Sequence, residues 1–163
     1  MRIFVCVGGG TSLPVPTRHV AAQYLWRVFG TGEHDRQMQA ESLVVVELSD
    51  DERHVLRCGL NEWVGPARSS EALAVAMGFA SVEDLYEQGQ RLRAALSSNQ
   101  PLSASDWRRA LVATEFVFAS DVFGSGVEWP TTTGLRDEET IRILRGLQRK
   151  LNRTVGRALY GHR

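Results

Sequence analysis

Leu43-Val44-Val45-Val46-Glu47-Leu48-Ser49-Asp50-Asp51-Glu52-Arg53-His54-Val55-Leu56-Arg57-Cys58-Gly59-Leu60 is the stretch on which the fold turns. Its first six residues are a β-rich apolar run, and Ser49-Asp50-Asp51-Glu52 has the polar chemistry of a turn. His54 to Leu60 then reads as the returning strand of a hairpin. On that strand Leu56, Cys58 and Leu60 share one face, expected to point inward, while Val55, Arg57 and Gly59 share the other.

Upstream, Ile3 to Val7 is a short apolar run closed by Gly8-Gly9-Gly10, the pattern of a strand buried on both faces. Pro14 and Pro16 keep the next residues out of a helix. Thr17 is placed to cap a helix from Arg18 to Phe29 that Gly30 ends, and Thr31 to Gln39 reads as an exposed loop. Downstream, Ser69 or Ser70 opens a short helix to Met77, closed by Gly78. Ser81 opens another to Ser97, with Asp84 in a loose capping box. Ser105 caps a helix from Asp106 to Phe123, and Asp137-Glu138-Glu139 starts a long one reaching about Leu159. The order β-α-β-β and then four helices predicts a single α+β domain over residues 1–163, with a small three-stranded sheet.

Composition narrows the functional classes. The chain has 163 residues, 43% hydrophobic and 23% charged, which is ordinary globular usage. Nineteen Lys+Arg balance nineteen Asp+Glu. A protein that grips nucleic acid by neutralising phosphates normally carries a basic excess, so neutrality directs the expectation to a protein or small-molecule partner. Cys6 and Cys58 are too few for a disulfide framework and lack zinc-site spacing; they are expected as buried free thiols, a cross-strand disulfide being the alternative that needs an oxidising compartment. The N-terminal apolar run is shorter than the roughly 7 residues of a signal-peptide core. No stretch approaches the ~20 apolar residues of a membrane span. A cytoplasmic protein with no membrane partner is expected, and the Ala/Val/Arg-rich composition suggests a bacterial one.

Four features carry the candidate chemistry. Gly8, Gly9, Gly10, Thr11 and Ser12 follow a strand and could cradle an anion with backbone N–H groups. The intervening prolines and the lack of a Gly-Lys-Ser/Thr ending depart from the standard phosphate loops, and a tight exit from a strand explains the glycines equally well. Second, Leu73 to Leu92 has the form of a helix-turn-helix. Ala74, Gly78, Phe79 and Ser81 resemble the Ala-x-x-x-Gly-Phe-x-Ser run of AraC-type DNA-binding domains over about a dozen residues. That resemblance implies a recognition helix after Ser81, which here carries Glu83, Asp84 and Glu87, the wrong charge to face phosphates.

Third, helical periodicity on the last helix puts Ile141, Leu144, Leu147, Leu151, Val155, Ala158 and Leu159 on one side. Arg142, Arg145, Arg149, Arg153 and Arg157 lie almost opposite, with Lys150 at their edge. Such a stripe is either a solvated outer face or a contact for something anionic. Fourth, Gly124 to Gly134 reads as an eleven-residue irregular loop holding Glu128 and Trp129, where the indole is either a plug or a docking anchor. The four histidines form no i, i+3 or i, i+4 pair with one another, and no Gly-x-Ser-x-Gly elbow is present. No metal or cofactor is expected.

The leading expectation is a non-enzymatic interaction or regulatory protein. It would dock an acidic or protein partner, or its own copy, through the arginine face and the Trp129 loop. A small nucleotide- or phosphate-binding enzyme using Gly8 to Ser12 is the second reading. Nucleic-acid binding through the arginine stripe or the helix-turn-helix is the third.

Overall fold

Ser49 ends the extended run and caps a helix where the sequence suggested a hairpin. In the computed structural model, which describes residues 42–160, the Ser49 hydroxyl accepts the Glu52 N–H at 3.2 Å. The Glu52 carboxylate accepts the Ser49 N–H at 2.8 Å. This reciprocal capping box satisfies two otherwise orphaned donors, and Asp50, Asp51 and Glu52 sit where the helix dipole favours negative charge. Helix α1, Asp50–Glu62, therefore replaces the expected second hairpin strand. Val55, Leu56, Gly59 and Leu60 are buried together, a spacing that a helix gathers on one face and a strand would split between two.

Residues 43–48 form no helix and join no sheet among the described residues. Val44 forms one antiparallel bridge with Leu102, through bonds of 2.8 and 3.3 Å. Among the described residues there is no sheet, and the α+β expectation with three strands is overturned there by a helical architecture. The strand over Ile3–Val7, the helix over Arg18–Phe29 and the loop over Thr31–Gln39 lie outside the described residues, as do Cys6 and the Gly8–Ser12 loop.

The remaining helices largely follow their punctuation. Ser70 caps α2, Glu71–Met77, by accepting the Leu73 N–H, and Gly78 closes it at φ 95°, a left-handed conformation that glycine adopts without strain. Ser81 caps α3, Val82–Ser97, by accepting the Asp84 N–H. Helix α4 spans Ala104–Ala119, and its cap is Ser103, two residues before the expected Ser105. It stops short of Phe123 because the Ser120 hydroxyl accepts the N–H groups of Val122 and Phe123 and turns the chain. The expected irregular loop contains a short helix α5, Trp129–Thr133, with Pro130 near its start and Gly134 closing it at φ 75°. Helix α6, Asp137–Tyr160, is the long amphipathic C-terminal rod.

Helices α1 and α4 form the central pair, with α3 against α1, α6 against both α4 and α1, and α2 touching α3 and α4. The core gathers Val55, Leu56, Leu60 and Trp63 with Leu92, Ala110, Ala113, Val117, Leu147 and Leu151. Three tryptophans lie within the described residues, and all three are buried. Each indole N–H finds an acceptor: Trp63 the Ala113 carbonyl, Trp107 the Val44 carbonyl and Trp129 the Thr140 hydroxyl, at 3.1, 3.0 and 2.9 Å. No helix among the described residues is long and apolar enough to cross a membrane.

Candidate functional site

Helix α6 buries Thr140, Ile143, Leu144, Leu147, Leu151 and Val155 against the bundle. Two residues assigned to that apolar side from periodicity, Ile141 and Ala158, are exposed; the buried arc is rotated toward Thr140 and Ile143. On the opposite arc Arg142, Arg145, Arg149, Arg153 and Arg157 are all exposed. Fifteen residue steps at 1.5 Å each spread them over roughly 22 Å. No acid occurs between Thr140 and Tyr160. Among the described residues none of the five forms an ion pair, and the one hydrogen bond from their guanidiniums runs from Arg145 Nη1 to Gln148 Oε1 at 2.9 Å. Lys150, at the stripe's edge, is engaged: its ammonium donates to the Glu47 carbonyl at 2.8 Å and pairs with the Glu52 carboxylate. Among the described residues the five arginines form a row of charge that no ion pair neutralises.

No protein-family model matches this chain, and no curated protein and no solved structure matches it.

Trp129 does not share the arginine face as a docking anchor. Its ring is fully buried, set edge-on to Phe118 with centroids 5.4 Å apart, and its N–H is taken by Thr140. It pins α5 to the start of α6. Glu128, its neighbour, is exposed, and its carbonyl accepts the N–H groups of Thr131 and Thr132. The exposed apolar groups of this region are instead Val122, Phe123 and Val127.

The helix-turn-helix pattern forms as two helices around Gly78, and Glu71 and Asp84 hold the turn while Glu83 and Glu87 are exposed. Glu71 accepts the Val82 N–H at 3.2 Å, and Asp84 accepts the Ala80 N–H at 2.8 Å. Arg91 pairs with the buried Asp106 on α4 at 2.7 Å. Asp106 also holds Arg109, whose Nε donates to the Gly78 carbonyl at 2.7 Å and whose guanidinium lies over the Phe79 ring. This cluster clamps α2, α3 and α4 together and takes Arg91 away from any ligand.

On α1, the turn of helix brings His54 and Cys58 together, four residues apart, a proximity that a strand reading conceals. The His54 Nε2 donates to the Thr133 carbonyl at 3.2 Å, and the Cys58 sulfur lies beside the ring, 3.6 Å from Nε2 and 3.8 Å from Nδ1. Burial pushes the Cys58 thiol above its ordinary range, and the Glu62 carboxylate one turn on pushes the same way; Arg57 and Arg93 oppose both. The thiol is held protonated rather than activated. Glu62 is itself buried, with Oε2 unpartnered among the described residues. No group of three or more metal-ligating side chains occurs among the described residues.

Proposed function

We propose that the protein is a non-enzymatic interaction module that docks an acidic protein surface on the arginine face of α6. The single observation carrying this reading is the row of five exposed guanidiniums with no acid on the same helix stretch and no ion pair among the described residues. A helix needs no such row for solubility, and mixed-sign pairs at i, i+4 would stabilise it better. The chain as a whole is neutral, so the positive field is local and directs a partner to one side. Partner recognition rests on the charge pattern; Trp129 contributes by holding the base of α6 in place.

The test is fluorescence anisotropy with a labelled Glu/Asp-rich peptide, using the full chain and its Arg145→Ala/Arg149→Ala/Arg153→Ala variant. Exposed charge pairs contribute about 0.5 kcal/mol each, so losing three weakens binding by about tenfold. Affinity falls as salt shortens the Debye length. Equal affinity of the two proteins for the peptide overturns the reading. A single-stranded RNA oligonucleotide bound more tightly than the peptide would replace it with nucleic-acid binding.

A further inference from the structure

An open surface hollow of about 350 Å³ lies between α1 and α3; exposed Arg57, Gln90, Ala94 and Ser97 and half-buried Arg93 line it, none of them from α6. Two cationic forks from different helices thus meet one hollow, and neither guanidinium has a hydrogen bond or ion pair among the described residues. The other arginines around α1 and α3 are already committed. Arg53 is bound to the Leu48 carbonyl and the Asn99 side chain, and Arg91 to Asp106. Among the described residues the lining holds no carboxylate to neutralise the remaining pair.

The other polar groups narrow the ligand. The Ser97 hydroxyl donates its one proton to the Arg93 carbonyl at 2.8 Å, so toward the cavity it offers lone pairs only. The Gln90 amide, unpartnered among the described residues, can both donate and accept. Ala94 supplies a small apolar wall. A fitting ligand presents oxyanion oxygens to the two guanidiniums and a hydroxyl to Ser97.

We propose that this cavity is a binding site for a small hydroxyl-bearing phosphate monoester, with Arg57 and Arg93 clamping the phosphoryl group and Ser97 accepting from the ligand hydroxyl. Planar guanidinium forks match phosphate oxygens in pairs, which favours a tetrahedral dianion over a halide. The site is independent of the α6 arginine row, so either assignment survives loss of the other.

Cys58 provides an internal reporter, because both arginines act on its ionisation. A bound dianion cancels their effect and leaves burial and Glu62 unopposed, so alkylation of Cys58 by neutral iodoacetamide slows.

The experiment is calorimetric titration of the full chain with glycerol phosphate, inorganic phosphate and glycerol at constant ionic strength, alongside peptide-resolved alkylation of Cys58. Glycerol phosphate is expected to bind more tightly than inorganic phosphate, with no binding of glycerol. Arg57→Gln and Arg93→Gln are each expected to weaken binding about tenfold or more, circular dichroism confirming that both variants fold. The α6 triple-alanine variant is expected to bind unchanged, and Cys58 to be protected only by the bound ester. Binding that survives both glutamine variants, disappears in the α6 variant or fails to prefer the ester overturns the assignment. So does the absence of any saturable heat together with unprotected Cys58.

Discussion

Gly59 on α1 and Thr114 on α4 touch so closely that a Cβ added to Gly59 would stand 2.5 Å from both Cγ2 and Oγ1 of the threonine. The Thr114 side chain cannot readily withdraw. It is fully buried, β-branched, and its hydroxyl donates to the Ala110 carbonyl at 2.8 Å. Ala110 and Ala113 are buried on the same helix, so small residues line the contact between the two central helices, against which α3 and α6 pack. Gly59→Ala should lower stability by about 1 to 3 kcal/mol through overpacking. In a urea-denaturation cycle with Thr114→Ala the double variant should be less destabilised than the sum of the singles. Simple additivity would show that the two residues do not meet.

Ser49 sets the conformation of the most ambiguous stretch in the chain. Its replacement by alanine should cost about 1 kcal/mol by urea denaturation, the usual loss for an N-cap hydroxyl. Glu52→Gln keeps a capping acceptor but removes the charge facing Lys150, so a loss no larger than that of Ser49→Ala is expected. A stability unchanged by Ser49→Ala would mean that the capping box contributes nothing to α1.

Cys58 gives the fold a pH dependence whose sign follows from its environment. Its folded thiol ionises above its unfolded value, first because of burial and then because of Glu62. The neutral thiol is therefore no burden below the ordinary thiol range near 8.5, and the fold loses stability as pH rises through that range toward the folded value. Urea midpoints of the parent chain should fall more steeply than those of Cys58→Ala between neutral and alkaline pH. Parallel curves would rule the effect out.

Glu62 is a buried carboxylate with one oxygen unpartnered among the described residues. An unsatisfied buried charge is costly, so Glu62→Gln should raise the urea midpoint or leave it unchanged. A loss of more than about 2 kcal/mol, the scale of a hydrogen bond to a charged group, would contradict this account of Glu62.

Trp129 should behave as a plug. Trp129→Ala is expected to cost about 3 to 5 kcal/mol, as for other fully buried large rings. Trp129→Phe loses the Thr140 bond and should leave binding of the acidic peptide unaltered. A selective loss of peptide affinity in Trp129→Phe, at unchanged stability, would return the indole to the contact surface.

The sequence signals that held were local ones: Ser70 and Ser81 as caps, Gly78 as a left-handed stop, and the apolar-against-arginine division of α6. The hairpin failed because Ser49-Asp50-Asp51-Glu52 fits both a turn and a capping box. The choice is made by whether Val55, Leu56, Gly59 and Leu60 can be buried on one side. Val44 to Val46 stayed out of a helix as their β-branching suggests, and among the described residues Val44 bridges Leu102 alone. The arginine row was legible because one helix carries all of it. The Arg57–Arg93 cavity was hidden, since it needs α1 to be a helix and α3 to pack beside it. The burial of Trp129 depended on Phe118 and Thr140, contacts with no trace in local sequence.

Chemical-shift mapping with the Glu/Asp-rich peptide addresses the docking face most directly. Titration into the isotopically labelled chain should move the resonances of Arg142, Arg145, Arg149, Arg153 and Arg157 along one saturable path and leave α3 and the buried indoles still. Shifts confined to other helices, with those five arginines unmoved at saturation, would contradict it.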